Sequence, residues 1–159
     1  MKNFRLAGIS ILGLAAAAAV FFGARASTTL AHCQVPCGIY DDAARIKYLH
    51  EDATTIAKAV GQINDLAGSH DGQAFNQAAR WVATKEAHAS HVIEVVSEYF
   101  LTQKVKVVAP DAEGREAYLA ALADHHAVMV AAMKTKQTAD PGAVDALEKA
   151  IDALAAHYK

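Results

Sequence analysis

The sequence predicts an all-α protein, an up-down-up-down antiparallel four-helix bundle entered through a short N-terminal hook. Three observations predict it. Apolar residues recur at alternating spacings of three and four through four stretches after Asp41. Only short connections, around Gly68–Asp71, Thr102–Pro110 and Thr135–Asp140, separate those stretches, which makes consecutive helices antiparallel neighbours. A strand-like alternation occurs only at Lys104-Val105-Lys106-Val107-Val108, and its isolation before Pro110 assigns it to a loop. There is no internal repeat, low-complexity tract or second domain.

The first element is a leader. Lys2 and Arg5 precede an apolar run from Leu6 to Gly23 and then small polar residues, the order of a secretory signal. Two cleavage sites compete. Ala24-Arg25-Ala26 fits the small-x-small rule better, whereas Thr29-Leu30-Ala31 fits it acceptably and exposes His32. An uncleaved membrane anchor is the alternative, because the run is near the lower limit for spanning. The expected division is a leader over residues 1–31 and one domain over residues 32–159. Such a chain is exported, periplasmic or extracellular, and meets a signal peptidase or maturation protease.

The second element is the hook, residues 32–40, His32-Cys33-Gln34-Val35-Pro36-Cys37-Gly38-Ile39-Tyr40, which holds the only two cysteines. Cleavage before His32 concentrates an amine, an imidazole, a backbone amide and two thiols in six residues. Cysteine binds metal as thiolate. A five-membered chelate ring joins the His32 amine to the Cys33 amide nitrogen, and a six-membered ring joins that amide to its own sulfur. The Cys37 sulfur closes a plane if the chain turns back, which Pro36 and Gly38 favour. Planar nitrogen and sulfur donors suit Cu(II) or Ni(II) better than Zn(II), leaving the His32 imidazole as an axial ligand. The competing reading of two cysteines in an exported helical protein is a disulfide.

Four helices follow. The first is capped by Asp41, stops at Gly68, and turns Ile46, Leu49, Ala53, Ile56, Val60, Ile63 and Ala67 inward. The second runs from Gly72 to Leu101 with Phe75, Ala78, Val82, Ala89, Ile93, Val96 and Phe100 inward. The third occupies Asp111 to Lys134, with Tyr118, Leu122, Met129 and Met133 on its stripe. Asp140-Pro141 caps and opens the fourth, whose stripe is Val144, Leu147, Ile151, Leu154 and Tyr158. Trp81, Tyr99 and Phe100 suit either the core or a subunit interface.

Removing residues 1–31 takes Lys2, Arg5 and Arg25 from the 15 basic side chains and none from the 17 acidic ones, leaving a net charge near −5. No Lys/Arg cluster points to nucleic acid. Eight histidines offer a rival metal site, with His88 and His91 on one helix face and His125-His126 on another. No acidic residue stands three before a histidine, which argues against the Glu-x-x-His pattern of a di-iron bundle. There is no phosphate loop, nucleophile–base triad or paired-carboxylate motif.

The hook resembles that of the nickel-containing superoxide dismutases, whose mature chains begin His-Cys-x-x-Pro-Cys-Gly-x-Tyr. His32, Cys33, Pro36, Cys37, Gly38 and Tyr40 match that pattern, and the helical remainder is similar more loosely. The resemblance implies one nickel ion per subunit, cycling between Ni(II) and Ni(III) and disproportionating superoxide to dioxygen and hydrogen peroxide. It implies His32 as amine and imidazole ligand, Cys33 as amide and thiolate ligand, Cys37 as the second thiolate, and Tyr40 beside the open face of the metal. It also implies a homohexamer whose hooks are partly covered by other subunits.

Two positions depart from the family. Gln34 stands where Asp is common, and Arg45-Ile46-Lys47 replaces an Arg-Ile-Glu step whose carboxylate orients the axial imidazole. Lys47 cannot accept that hydrogen bond. Glu51, one turn on, is the first intrachain candidate to replace it, unless it pairs with Lys47 instead. The function from another class is an exported nickel- or copper-binding helical protein without turnover.

Overall fold

The computed structural model describes residues 41–158, all of whose regular structure is helical. Four α-helices are present among the described residues: α1 (Asp42–Leu66), α2 (Gly72–Glu94), α3 (Arg115–Gln137) and α4 (Pro141–Ala155). A π-helical segment, Val95–Lys104, prolongs α2. Helix α1 packs mainly on α2 and α4, and α3 packs on the same two helices.

Local chemistry explains where the helices begin. The Asp41 carboxylate accepts from the amides of Ala43, at 2.9 Å, and Ala44, at 3.3 Å. Asp71 does the same for Gln73 and Ala74, and Asp140 for Gly142 with Pro141 in the first turn. Each aspartate satisfies amides that have no partner within the helix. Helix α3 lacks such a cap. Its N-terminal neighbour is Gly114, at φ +84°, a backbone conformation that glycine alone adopts freely. The chain between Pro110 and Gly114 therefore turns before the helix starts, four residues later than the sequence predicts.

The core confirms two stripes and corrects two. Ile46, Leu49, Ala53, Ile56 and Val60 of α1 and Val144, Leu147, Ile151 and Leu154 of α4 are buried, as their spacing predicts, whereas Ile63 is half-buried and Ala67, just past the end of α1, is exposed. In the second stripe Ala89, Val96 and Phe100 are buried as expected, but Phe75 and Val82 are exposed, at 65% and 41%, and Ala74, Lys85 and Val92 are buried instead. On α3 Met133 is exposed, Tyr118 and Leu122 are half-buried, and His125, Val128, Ala132 and Thr135 are buried. The stripe of α3 and the first part of that of α2 are displaced because polar side chains occupy core positions. Thr135 Oγ1 donates to Ala132 O at 2.7 Å. The Lys85 ammonium donates to Thr135 O at 2.5 Å and to Lys136 O at 2.8 Å.

The helix predicted to stop at Leu101 instead continues in π geometry to Lys104. Side chains support the wider turn: Thr102 Oγ1 donates to Ser97 O at 2.7 Å and Gln103 Nε2 to Glu98 O at 3.2 Å, each five residues back. Beyond it, residues 105–108 form no strand, in agreement with the loop assignment. No helix among the described residues is long and apolar enough to cross a membrane.

Candidate functional site

The predicted ligands His32, Cys33 and Cys37, together with Tyr40 and the leader, lie outside the described residues. The structure does describe what the hook is covalently joined to. Helix α1 starts at Asp42, two residues after Tyr40, and its first turn meets the π segment. The Tyr99 hydroxyl donates a short hydrogen bond to Asp42 Oδ1, and Lys104 Nζ lies 2.9 Å from the same oxygen. The Arg45 guanidinium carbon lies 5.7 Å from the ring centroids of both Tyr48 and Tyr99, and Lys104 Nζ 5.6 Å from that of Tyr99.

The π register makes this possible. Five residues of α-helix rotate a side chain about 140° past a full turn, which would separate positions 99 and 104. The wider turn of an i→i+5 helix brings them nearer to one face, and such segments are frequent at functional sites. Burial, then the hydrogen bond and charge of Asp42, push the Tyr99 phenol above its ordinary pKa. The hydrogen bond to Asp42 is the largest cause raising Lys104. Both groups therefore stay protonated through the neutral range.

Behind Tyr99 lies an aromatic layer. Phe100, fully buried, meets Tyr99 edge-on with ring centroids 5.0 Å apart and Tyr158 at 4.3 Å. His125 is buried beside them. Its Nδ1 is 2.6 Å from Ala121 O, which can only accept, so Nδ1 carries the proton. Nε2 then accepts from the Tyr158 hydroxyl, also at 2.6 Å. Burial lowers the His125 pKa and raises that of Tyr158.

The other histidines have different partners. His88 Nδ1 donates to Asp52 Oδ1 at 2.6 Å and His91 Nδ1 to Asp52 Oδ2 at 2.7 Å, joining α2 to α1 through one buried carboxylate. His50 pairs with Glu148 and His157 with Asp124. No group of three or more His, Cys, Asp or Glu side chains among the described residues is arranged to hold a metal. Glu51 lies 3.7 Å from Lys47 in an exposed i,i+4 pair. Sequence reasoning missed the partners of Asp42, Asp52 and Lys104, since nothing local distinguishes them from other helix-surface charges.

A family model, nickel-containing superoxide dismutase, matches residues 27–159. The chain belongs to that family. The match takes in residues 32–40 as well as the helices, so the segment that holds both cysteines lies within the family's span. No curated protein and no solved structure gives a significant match.

Proposed function

We propose that the chain is an exported superoxide dismutase, matured to begin at His32, in which residues 32–40 hold one nickel ion per subunit. The family match over residues 27–159 carries this reading. The helices then form an up-down-up-down antiparallel bundle with the hook at one end, and subunits assemble as a homohexamer. In the exported compartment, periplasmic or extracellular, superoxide is the substrate.

The donor set fits nickel. Two thiolates, an amide and an amine would give the anionic nitrogen and sulfur donors that suit it, and the His32 imidazole would complete the set. Nickel held there would supply one-electron oxidation and reduction, the chemistry that turns two superoxide anions and two protons into dioxygen and hydrogen peroxide. Cys33 and Cys37 hold the metal as thiolates, and Tyr40 limits access to its open face. Arg45 and Lys104, at the start of α1 and the end of the π segment, offset the acidic excess of the mature chain, which would otherwise repel an anion.

The test is protein exported by its host, analysed by intact mass, nickel content and superoxide consumption. A mature mass starting at His32, one nickel per chain and nickel-dependent turnover are expected. Cys33→Ser and Cys37→Ser each lose both metal and turnover, because a serine hydroxyl is not an anionic donor at neutral pH. Wild-type metal and rate in both variants would remove the hook from the site. A nickel- or copper-loaded chain beginning at His32 that leaves superoxide unconsumed selects the binding protein without turnover.

A further inference from the structure

We propose that Asp42 is a positioning residue for the superoxide reaction, holding the Tyr99 hydroxyl and the Lys104 ammonium as one unit at the root of the hook. The inference rests on the dismutase reading above and adds a residue to it. Its basis is the geometry. One carboxylate oxygen takes both the Tyr99 hydroxyl and the Lys104 ammonium, the latter at 2.9 Å. The two partners stand five residues apart, and the π segment brings them nearer to one face. The Asp42 and Lys104 side chains remain 30% and 33% exposed, so the cluster is open to a small solute.

Its place in the chain links it to the reaction. Cys37 precedes Asp42 by five residues, which reach at most about 18 Å in any conformation. A cation and a phenol fixed within that radius act on an anionic substrate only if they are held, because a free lysine samples many rotamers. An ordinary surface ion pair contributes little. Here the same carboxylate also receives the hydroxyl of a buried tyrosine, 6% exposed, whose ring centroid lies 5.7 Å from the Arg45 guanidinium carbon and 5.6 Å from Lys104 Nζ. Asp42 thereby fixes Tyr99 as a hydrogen-bond donor and sets where the Lys104 charge resides.

The sign of the effect separates positioning from simple charge. Replacing Asp42 by Asn removes a negative charge, so a purely electrostatic role predicts faster capture of superoxide at low salt. A positioning role predicts the reverse. The experiment compares nickel-loaded wild type, Asp42→Asn and Lys104→Met by pulse radiolysis over ionic strength and pH, with nickel content and thermal melting recorded for each. Asp42→Asn is expected to keep its nickel and its melting transition and to lose about tenfold in rate, the scale of one charge-assisted hydrogen bond. Added salt should not restore that rate.

The ultraviolet titration of Tyr99, taken against a Tyr99→Phe variant, should move to lower pH in Asp42→Asn, since the carboxylate charge that helps raise it is removed. Lys104→Met should reproduce the rate loss and move the tyrosine titration the other way, to higher pH, because the Lys104 charge lowers it. An unchanged or increased rate in Asp42→Asn overturns the proposal. Wild type that binds nickel but shows no turnover overturns the dismutase reading instead, and a Tyr99 titration that still moves in Asp42→Asn keeps the hydrogen-bond unit as a structural feature only.

Discussion

At Asp52 a carboxylate only 6% exposed accepts from two imidazoles one helical turn apart, His88 and His91. A buried charge is tolerated when its lone pairs are taken up by donors, and here both oxygens are. The spacing of the histidines was legible in the sequence as a shared face, and it raised the prospect of a second metal. Their common partner was not legible, because Asp52 lies 36 residues away and is one acid among many on α1. The hook shows the opposite case: its six matching positions sit in nine consecutive residues. Asp52→Ala is expected to lower unfolding free energy by about 1–3 kcal/mol, the cost of losing a buried acceptor whose donors retain partial access to water. Urea denaturation followed by circular dichroism measures it. A midpoint equal to wild type would make the cluster incidental to α1–α2 packing.

Among the elements, α1 and α4 were readable because the positions their spacing selects are apolar. Ile46, Leu49, Ala53, Ile56 and Val60 and then Val144, Leu147, Ile151 and Leu154 are buried, with Asp52 the one buried polar residue beside them. The stripes of α2 and α3 were misplaced for one physical reason. Lys85, His125 and Thr135 sit in the core, and a reading that keeps polar residues outside moves the stripe of α3 and the first part of that of α2, while Ala89 and Val96 stay where the spacing puts them. What permits them is backbone chemistry: Thr135 and His125 bond to carbonyls of their own helix, and Lys85 reaches across to α3. The last four carbonyls of a helix have no intrahelical donor, and they form the negative end of its dipole. Lys85 supplies the missing donor to two C-terminal carbonyls of α3, on Thr135 and Lys136, from the middle of α2. Lys85→Met preserves the stem and removes that cap, so it is expected to destabilise by about 2 kcal/mol. Fraying should concentrate in residues 132–137, where hydrogen exchange would quicken first. Uniform exchange across all four helices would argue against a capping role.

For the molecule as a whole, the aromatic layer behind Tyr99 holds the buried histidine from which a loss of stability in acid is expected. His125 is buried and neutral, with Nδ1 donating to Ala121 O and Nε2 accepting from Tyr158, and burial lowers its pKa. Above its unfolded pKa of about 6.5 the ring is neutral whether the chain is folded or not, and its contribution to stability is complete. As pH falls below that value the unfolded chain takes up a proton that the folded chain resists, so stability declines toward the lowered folded pKa. In nickel-loaded protein, metal loss would obscure this in a simple pH scan, because thiolate and amine ligands protonate as pH drops. Metal-free protein compared with its His125→Leu variant separates the terms. Wild type is expected to lose melting temperature between pH 7.5 and 5.5 more steeply than the variant, although the variant starts lower for want of the Tyr158 hydrogen bond. Parallel pH profiles would show that the Phe100–Tyr158–His125 layer tolerates a protonated ring. Acid inactivation of the nickel enzyme would then have to arise in the hook.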